Sequence, residues 1–116
     1  MKTPPPPYYA VIFSAQRTGV EDGYGDTAAL MEAQAAASPG YLGHHSARGP
    51  DGFGITVSYW ASEEDIFAWK RRTDHVVAQR RGRMEWYEDY EVRVAKVERV
   101  YDMARNAPEH DDKEDD

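Results

Sequence analysis

The chain has 116 residues, room for one domain, and a domain this small is marginal alone, so a protein partner would help it. Its 41% hydrophobic and 30% charged residues suit a globular chain, and the absence of cysteine excludes disulfides and thiolate chemistry. The net charge of −7 is lopsided, with six acidic residues against Lys113 in 109–116; the rest is close to balanced, which argues against nucleic acid as a partner, and no apolar run is long enough to span a membrane.

Residues 1–7, with prolines at positions 4 to 7, read as a flexible arm, because proline lacks the amide donor that regular structure needs. Residues 8–104 form the expected domain, and 105–116 an acidic tail with too few apolar residues to fold. No hydrophobic signal core follows Met1, so the expected location is cytoplasmic.

Within the domain, 8–15 is a β-branched and aromatic run whose unbroken apolarity predicts a central strand. Residues 18–25 are glycine-rich and acidic, a loop. A helix is predicted from Asp26, with Leu30, Met31, Gln34 and Ala35 at helical spacing, and Ser38-Pro39-Gly40 stops it. Residues 41–48 and 53–60 read as a hairpin closed by Gly49-Pro50-Asp51-Gly52, with Phe53, Ile55, Val57 and Tyr59 on one face.

Ser62 with Asp65 three residues on is a capping-box variant that starts a helix at Glu63, buried along Ile66, Trp69 and Thr73. A second short helix is predicted over 74–81, ending at Gly82. The triplets Lys70-Arg71-Arg72 and Arg80-Arg81-Arg83 read as a solvated helix face, since no aromatic platform is interleaved with them. The last strand is expected over 87–101. There Val92 and Val94 share one parity and Val97 has the other, which implies a bulge or a strand that leaves its sheet for another chain.

The order β-α-β-β-α-β is the ferredoxin-like α+β arrangement, helices on one face of a four-stranded antiparallel sheet. The other face carries apolar residues with nothing left to cover it, so a second copy is the expected partner, giving a homodimer.

Several stretches resemble a bacterial branch of the antibiotic biosynthesis monooxygenase superfamily. They are Tyr8-Tyr9-Ala10-Val11-Ile12-Phe13 with Gln16-Arg17-Thr18, Asp22-Gly23-Tyr24-Gly25, and the segment from Asp51-Gly52-Phe53-Gly54 to Ser58-Tyr59-Trp60. Trp69-Lys70, His75, Gly82-Arg83, Trp86-Tyr87 and Tyr90-Glu91-Val92-Arg93 extend the match over nearly all of 8–101. The resemblance implies a dimeric α/β barrel. It implies a cofactor-independent monooxygenase whose aromatic substrate supplies the electrons to oxygen. Haem-degrading members instead use an Asn at the end of the first strand, a Trp on the second helical segment and an axial His ten residues later. Here Trp69 matches the Trp, but Gln16 and Gln79 stand at the other two places, and glutamine is a poor iron ligand, so haem is disfavoured.

His75 is the candidate catalytic residue, a general base for a phenolic proton; its other reading is a surface or capping histidine beside Asp74. The candidate substrate pocket comprises Gln16, Arg17, Tyr59, Trp69, Gln79 and Trp86. Tyr87 and Tyr90 could add hydroxyl donors; Trp60 could line the cavity as well, with core and dimer packing the favoured reading for both Trp60 and Trp86. Gln16 and Arg17 could orient a carbonyl or anion, or Arg17 could pair within the Glu21-Asp22 loop. His44 and His45 are adjacent on a strand and point to opposite faces, so no metal site is expected from them. Three functions compete: a cofactor-free oxygenase acting on a small hydrophobic or aromatic molecule, a haem-binding or haem-degrading protein, and a non-enzymatic dimeric module that binds a small molecule.

Overall fold

Strands alternate with helices where the residue pattern changes period: β1 Tyr8–Arg17, α1 Tyr24–Ala36, β2 Tyr41–Arg48, β3 Phe53–Trp60, α2 Glu63–Arg80 and β4 Tyr87–Val97. The computed structural model describes residues 4–19, 24–80 and 87–103, with the backbone alone at Thr27 and residues 74–80. All four strands pair antiparallel in the order β2-β3-β1-β4, so the apolar β1 is central, as its composition predicts. This is the ferredoxin-like α+β fold.

Register assigns the two faces. Val11 of β1 lies opposite Ser58 and Val94, and Tyr9 opposite Trp60 and Lys96. Val11 and Trp60 pack with Ala35 of α1 and Ile66 of α2 into the buried core, with Tyr9, Tyr41 and Trp69 against it. The odd positions of β1 therefore face the helices. Trp60 is 0% exposed, and its indole N–H is satisfied by Ser58 Oγ at 2.9 Å. The even positions line the other face, where Ile12 lies between Val57 and Arg93, and Ser14 between Ile55 and Glu91. Phe53 and Ile55 on that face are 43% and 41% exposed.

Four expectations are corrected. α1 begins at Tyr24, inside the stretch read as loop, and its Leu30 is exposed while Ala35 alone of the predicted stripe is buried. α2 is one helix of 18 residues rather than two, because no proline or glycine interrupts 63–80. β4 ends at Val97, not at 101. Its register runs unbroken from Tyr8↔Val97 to Gln16↔Asp89, and the irregularity falls at Gln16/Arg17 instead. The change of parity at Val97 is thus no bulge. β4 contributes Val92 and Val94 to the helix side and Val97, opposite Tyr8, to the uncovered side.

The capping box forms as the spacing predicts: Asp65 N donates to Ser62 Oγ at 3.1 Å, and that hydroxyl donates to Asp65 Oδ2 at 2.9 Å. Gly40 sits beneath it with φ 84°. A Cβ there would fall 2.1 Å from Asp65 Oδ2, so only glycine allows both the turn and the close approach of the cap.

Candidate functional site

The chain leaves β3 at Trp60 and enters β4 at Tyr87, which pairs with Arg17 at the far end of the sheet. α2 packs on the helix side at the Trp60 end, where Ile66 and Trp69 meet Trp60. Side chains on the helix side of β1, β3 and β4 form the floor of this face.

At the Trp60 end, Trp69 of α2 lies over Trp60 with ring centroids 5.0 Å apart, and Tyr41 meets Trp60 edge-on at 5.5 Å. One helical turn beyond Trp69 stands Thr73. Trp69 Nε1 and Thr73 Oγ1 are both enclosed and have no hydrogen-bond partner among the described residues. Enclosed polar atoms are nearly always satisfied, so two on one helix face mark a place where a ligand's polar atom would be stabilised.

At the Arg17 end the floor is aromatic and basic. Phe13 packs against Tyr87 and Tyr90 with centroids 5.5 and 5.6 Å away, and Tyr24 from the start of α1 meets Tyr87 edge-on at 6.1 Å. The Arg17 guanidinium carbon lies 3.5 Å from the Tyr24 ring centroid, a close cation–π contact. Arg48, the last residue of β2, donates from Nη2 to the Tyr24 hydroxyl at 2.8 Å and from Nη1 to Gly52 O at 3.2 Å. Burial pushes the Tyr87 phenol well above the usual tyrosine range. Its hydrogen bond with Tyr24 adds to that, while Arg17 and Arg48 pull the other way.

The residues singled out by sequence divide between the two faces. Trp69 and Arg17 lie on the helix side, at opposite ends. Tyr59 does not join them: it lies opposite Ala10 on the uncovered face, where its hydroxyl is 3.0 Å from His45 Nδ1 and its ring meets Tyr8 edge-on. Gln16 has the parity of that face as well, and its amide donates to Asp51 O at 2.7 Å, tying the β2–β3 turn to the end of β1. His75 and Gln79 lie on the second half of α2; their side chains, and Trp86, lie outside the described residues.

His44 and His45 point to opposite faces. His44 Nε2 is 2.9 Å from Glu32 Oε2 of α1 and its Nδ1 bonds the Tyr41 hydroxyl, whose pKa is raised by burial and then by the Glu32 carboxylate. Among the described residues, no group of three or more His, Cys, Asp or Glu is placed to hold a metal ion. No helix among them is long and apolar enough to cross a membrane. On the uncovered face an open groove of about 550 Å³ runs between Ile12, Phe53, Ile55 and Arg93.

Sequence reading did not bring Tyr24 and Arg48 to the Arg17 end of the sheet. Tyr24 sat in a stretch read as loop, and Arg48 read only as a strand end before a turn. The signal available was topological: once β2, β1 and β4 are paired, positions 48, 17 and 87 come to the same end of the sheet.

Residues 7–81 match the family model described as antibiotic biosynthesis monooxygenase. The uncharacterized protein YqjZ of Bacillus subtilis is 55% identical over 98 residues, covering 84% of this chain and 86% of that one. Among solved structures, SnoaB, a cofactor-independent oxygenase from Streptomyces nogalater, superposes with a TM-score of 0.59 at 12% identity, covering 90% of this chain and 100% of its own. The protein NE2512 of unknown function from Nitrosomonas europaea gives 0.64 at 12% identity, covering 84% and 96%. These structural likenesses are ones of fold. The family match and the YqjZ relationship go further, and with them the chain belongs to the antibiotic biosynthesis monooxygenase family.

Proposed function

We propose that the chain is a monooxygenase-like enzyme that oxidises a small hydrophobic or aromatic molecule on the helix side of its sheet, with no tightly bound cofactor. The observation that carries this reading is the pair of enclosed atoms on α2 without a partner among the described residues, Trp69 Nε1 and Thr73 Oγ1, beside the Trp60–Trp69 rings. An oxygen-bearing planar ligand against those rings would supply the missing acceptor and donor. Family membership supports the reaction class.

The chemistry balances without a reductant. A base takes a proton from a ring methylene activated by a neighbouring hydroxyl or carbonyl, and the carbanion passes an electron to O2. The resulting radicals combine to a hydroperoxide, which loses water. In sum CH2 and O2 become C=O and H2O, with all four electrons drawn from the substrate. His75 is the proposed base, since imidazole exchanges protons near neutral pH. It lies six residues beyond Trp69, about 9 Å further along α2. Gln79 and Arg17 shape the far part of the pocket. A second copy of the chain closes the uncovered face, where Phe53 and Ile55 are exposed.

An oxygen-electrode assay with anthrone-like and hydroxynaphthalene compounds, with no reductant present, tests the reading. Oxygen uptake equal to substrate lost is expected, falling about 100-fold in His75→Ala. Uptake that requires an added reductant would refute the cofactor-free chemistry. An undiminished rate in His75→Ala would refute the base.

A further inference from the structure

Three rings make a continuous path from the Trp69 site toward the surface. Trp69 and Trp60 have centroids 5.0 Å apart, and Tyr41 meets Trp60 edge-on at 5.5 Å. Such spacings put ring atoms in contact. Electron tunnelling falls off steeply with distance, so contact is what lets an electron pass between aromatic groups in steps.

The three rings differ in what can take a proton from them. The Trp60 indole N–H, in a residue that is 0% exposed, donates to Ser58 Oγ, and a hydroxyl is a feeble base. The Trp69 indole N–H is enclosed, with no partner among the described residues. An oxidised tryptophan at either place therefore keeps its proton and stays a strong oxidant. Tyr41 has a base at hand, for its hydroxyl is bonded to His44 Nδ1. His44 Nε2 in turn lies 2.9 Å from Glu32 Oε2. A carboxylate can only accept, so in the neutral imidazole the proton sits on Nε2, and Nδ1 accepts from Tyr41. A proton arriving at Nδ1 makes an imidazolium that the exposed Glu32 carboxylate stabilises.

We infer that Trp69, Trp60 and Tyr41, with His44 and Glu32, form an electron-transfer path that draws an oxidising equivalent out of the ring-lined site and leaves it on Tyr41 as a neutral phenoxyl radical. The oxidant is an organic peroxyl radical, formed when superoxide leaves before combining with the substrate radical and a second O2 adds instead. One electron leaves Trp69 and is replaced from Trp60 and then from Tyr41, while the Tyr41 proton goes to His44. The peroxyl, with that electron and a proton from water, becomes a hydroperoxide. An ascorbate-like reductant restores Tyr41 by supplying an electron as His44 returns the proton. The origin of the oxidant rests on the oxygenase reading; the path itself does not.

Flash photolysis tests the path without substrate, so its outcome is separate from that of the oxygen-uptake assay. Light absorbed by tryptophan alone ejects an electron, which chloropentaamminecobalt(III) captures irreversibly. Trp86→Phe is carried in every sample, so of the three tryptophans only Trp60 and Trp69 are ionised. At about pH 8.5, above the ordinary imidazole range, the absorption of the tryptophan radical is expected to give way to that of tyrosyl. Tyr41 still holds its proton there, because burial and then Glu32 raise its pKa. Tyr41→Phe should abolish the tyrosyl signal. His44→Asn keeps an acceptor for the hydroxyl but no base, and should slow the rise of tyrosyl about 100-fold. Should His44→Asn unfold by circular dichroism, Glu32→Gln, which removes the anion beside the imidazolium, should slow it about tenfold. A tyrosyl signal kept in Tyr41→Phe would put the radical on another phenol, such as Tyr9 against the same cluster, and overturn the path. So would a tryptophan radical that decays with no tyrosyl formed, or a rate unchanged in the His44 and Glu32 variants.

Discussion

The two faces of the sheet are built from the same four strands yet solve opposite problems. On the helix side, Trp60 is fully enclosed and its one polar atom is satisfied by Ser58. On the other side, Phe53 and Ile55 of the same strand remain more than 40% exposed and border an open groove. β3 alternates strictly between the two, so residues one position apart have different fates. The interior on the helix side lies at the Trp60 end, for Val92 and Val94 of β4 are exposed on that side, and on the other side Tyr8 and Ala10 are buried while Phe53 and Ile55 stay open.

The largest expected effect tests the enclosed side. Trp60→Ala should cost about 3–5 kcal/mol, because the cavity left under α2 cannot collapse against a rigid sheet. Urea unfolding of the variant measures it. Against a typical total of about 5–15 kcal/mol, the variant would be barely folded. A loss near 1 kcal/mol would mean that the helices do not close over Trp60.

Ile55→Glu attacks the other face and should separate the two problems. A charge at a site already 41% exposed in the single chain should scarcely change its folding, but would be unpaired once a second copy covered it. Analytical ultracentrifugation is expected to find a native dimer and a variant dissociation constant raised about 100-fold or more. A monomeric native protein would leave the uncovered face without its proposed partner.

A smaller effect sharpens the picture of the Arg17 end. The Tyr87 phenol is raised in the folded chain, chiefly by burial. Below the ordinary tyrosine value of about 10 both states hold the proton. Above it the unfolded chain loses its proton first, so stability falls as pH rises. The urea midpoint should drop between about pH 9 and pH 11, and Tyr87→Phe should flatten part of that slope, at most about 1.4 kcal/mol per pH unit. Tyr41, also raised, accounts for some of the remainder. A slope unchanged in Tyr87→Phe would show that this phenol titrates freely.

Most of the fold was legible in the sequence because its signals are local. β2 and β3 keep their predicted limits, since Gly49-Pro50-Asp51-Gly52 fixes the turn, and Ser62 with Asp65 fixes the start of α2. The start of α1 was misplaced because Tyr24-Gly25 is weak in helix propensity, and propensity is what a sequence window reports. The site was less legible. Tyr59 and Trp69 look alike as aromatic lining candidates, and only the register, Tyr59 opposite Ala10 and Trp60 opposite Tyr9, puts them on different sides. Arg48 and Tyr24 are 24 residues apart in sequence and meet only after two strands have paired, a contact no local pattern encodes.

The most direct test of the division of labour between the faces is an amide and indole NMR titration of the native protein with 4-nitro-1-naphthol. Trp69 Nε1–H, without a partner among the described residues, is the reporter for the helix side. Shifts of the Trp69 indole and of the Tyr87 and Phe13 amides, with Phe53 and Ile55 unmoved, are the predicted result. Shifts confined to Phe53, Ile55 and Arg93 would put the ligand in the groove of the uncovered face and contradict the assignment of the site to the helix side.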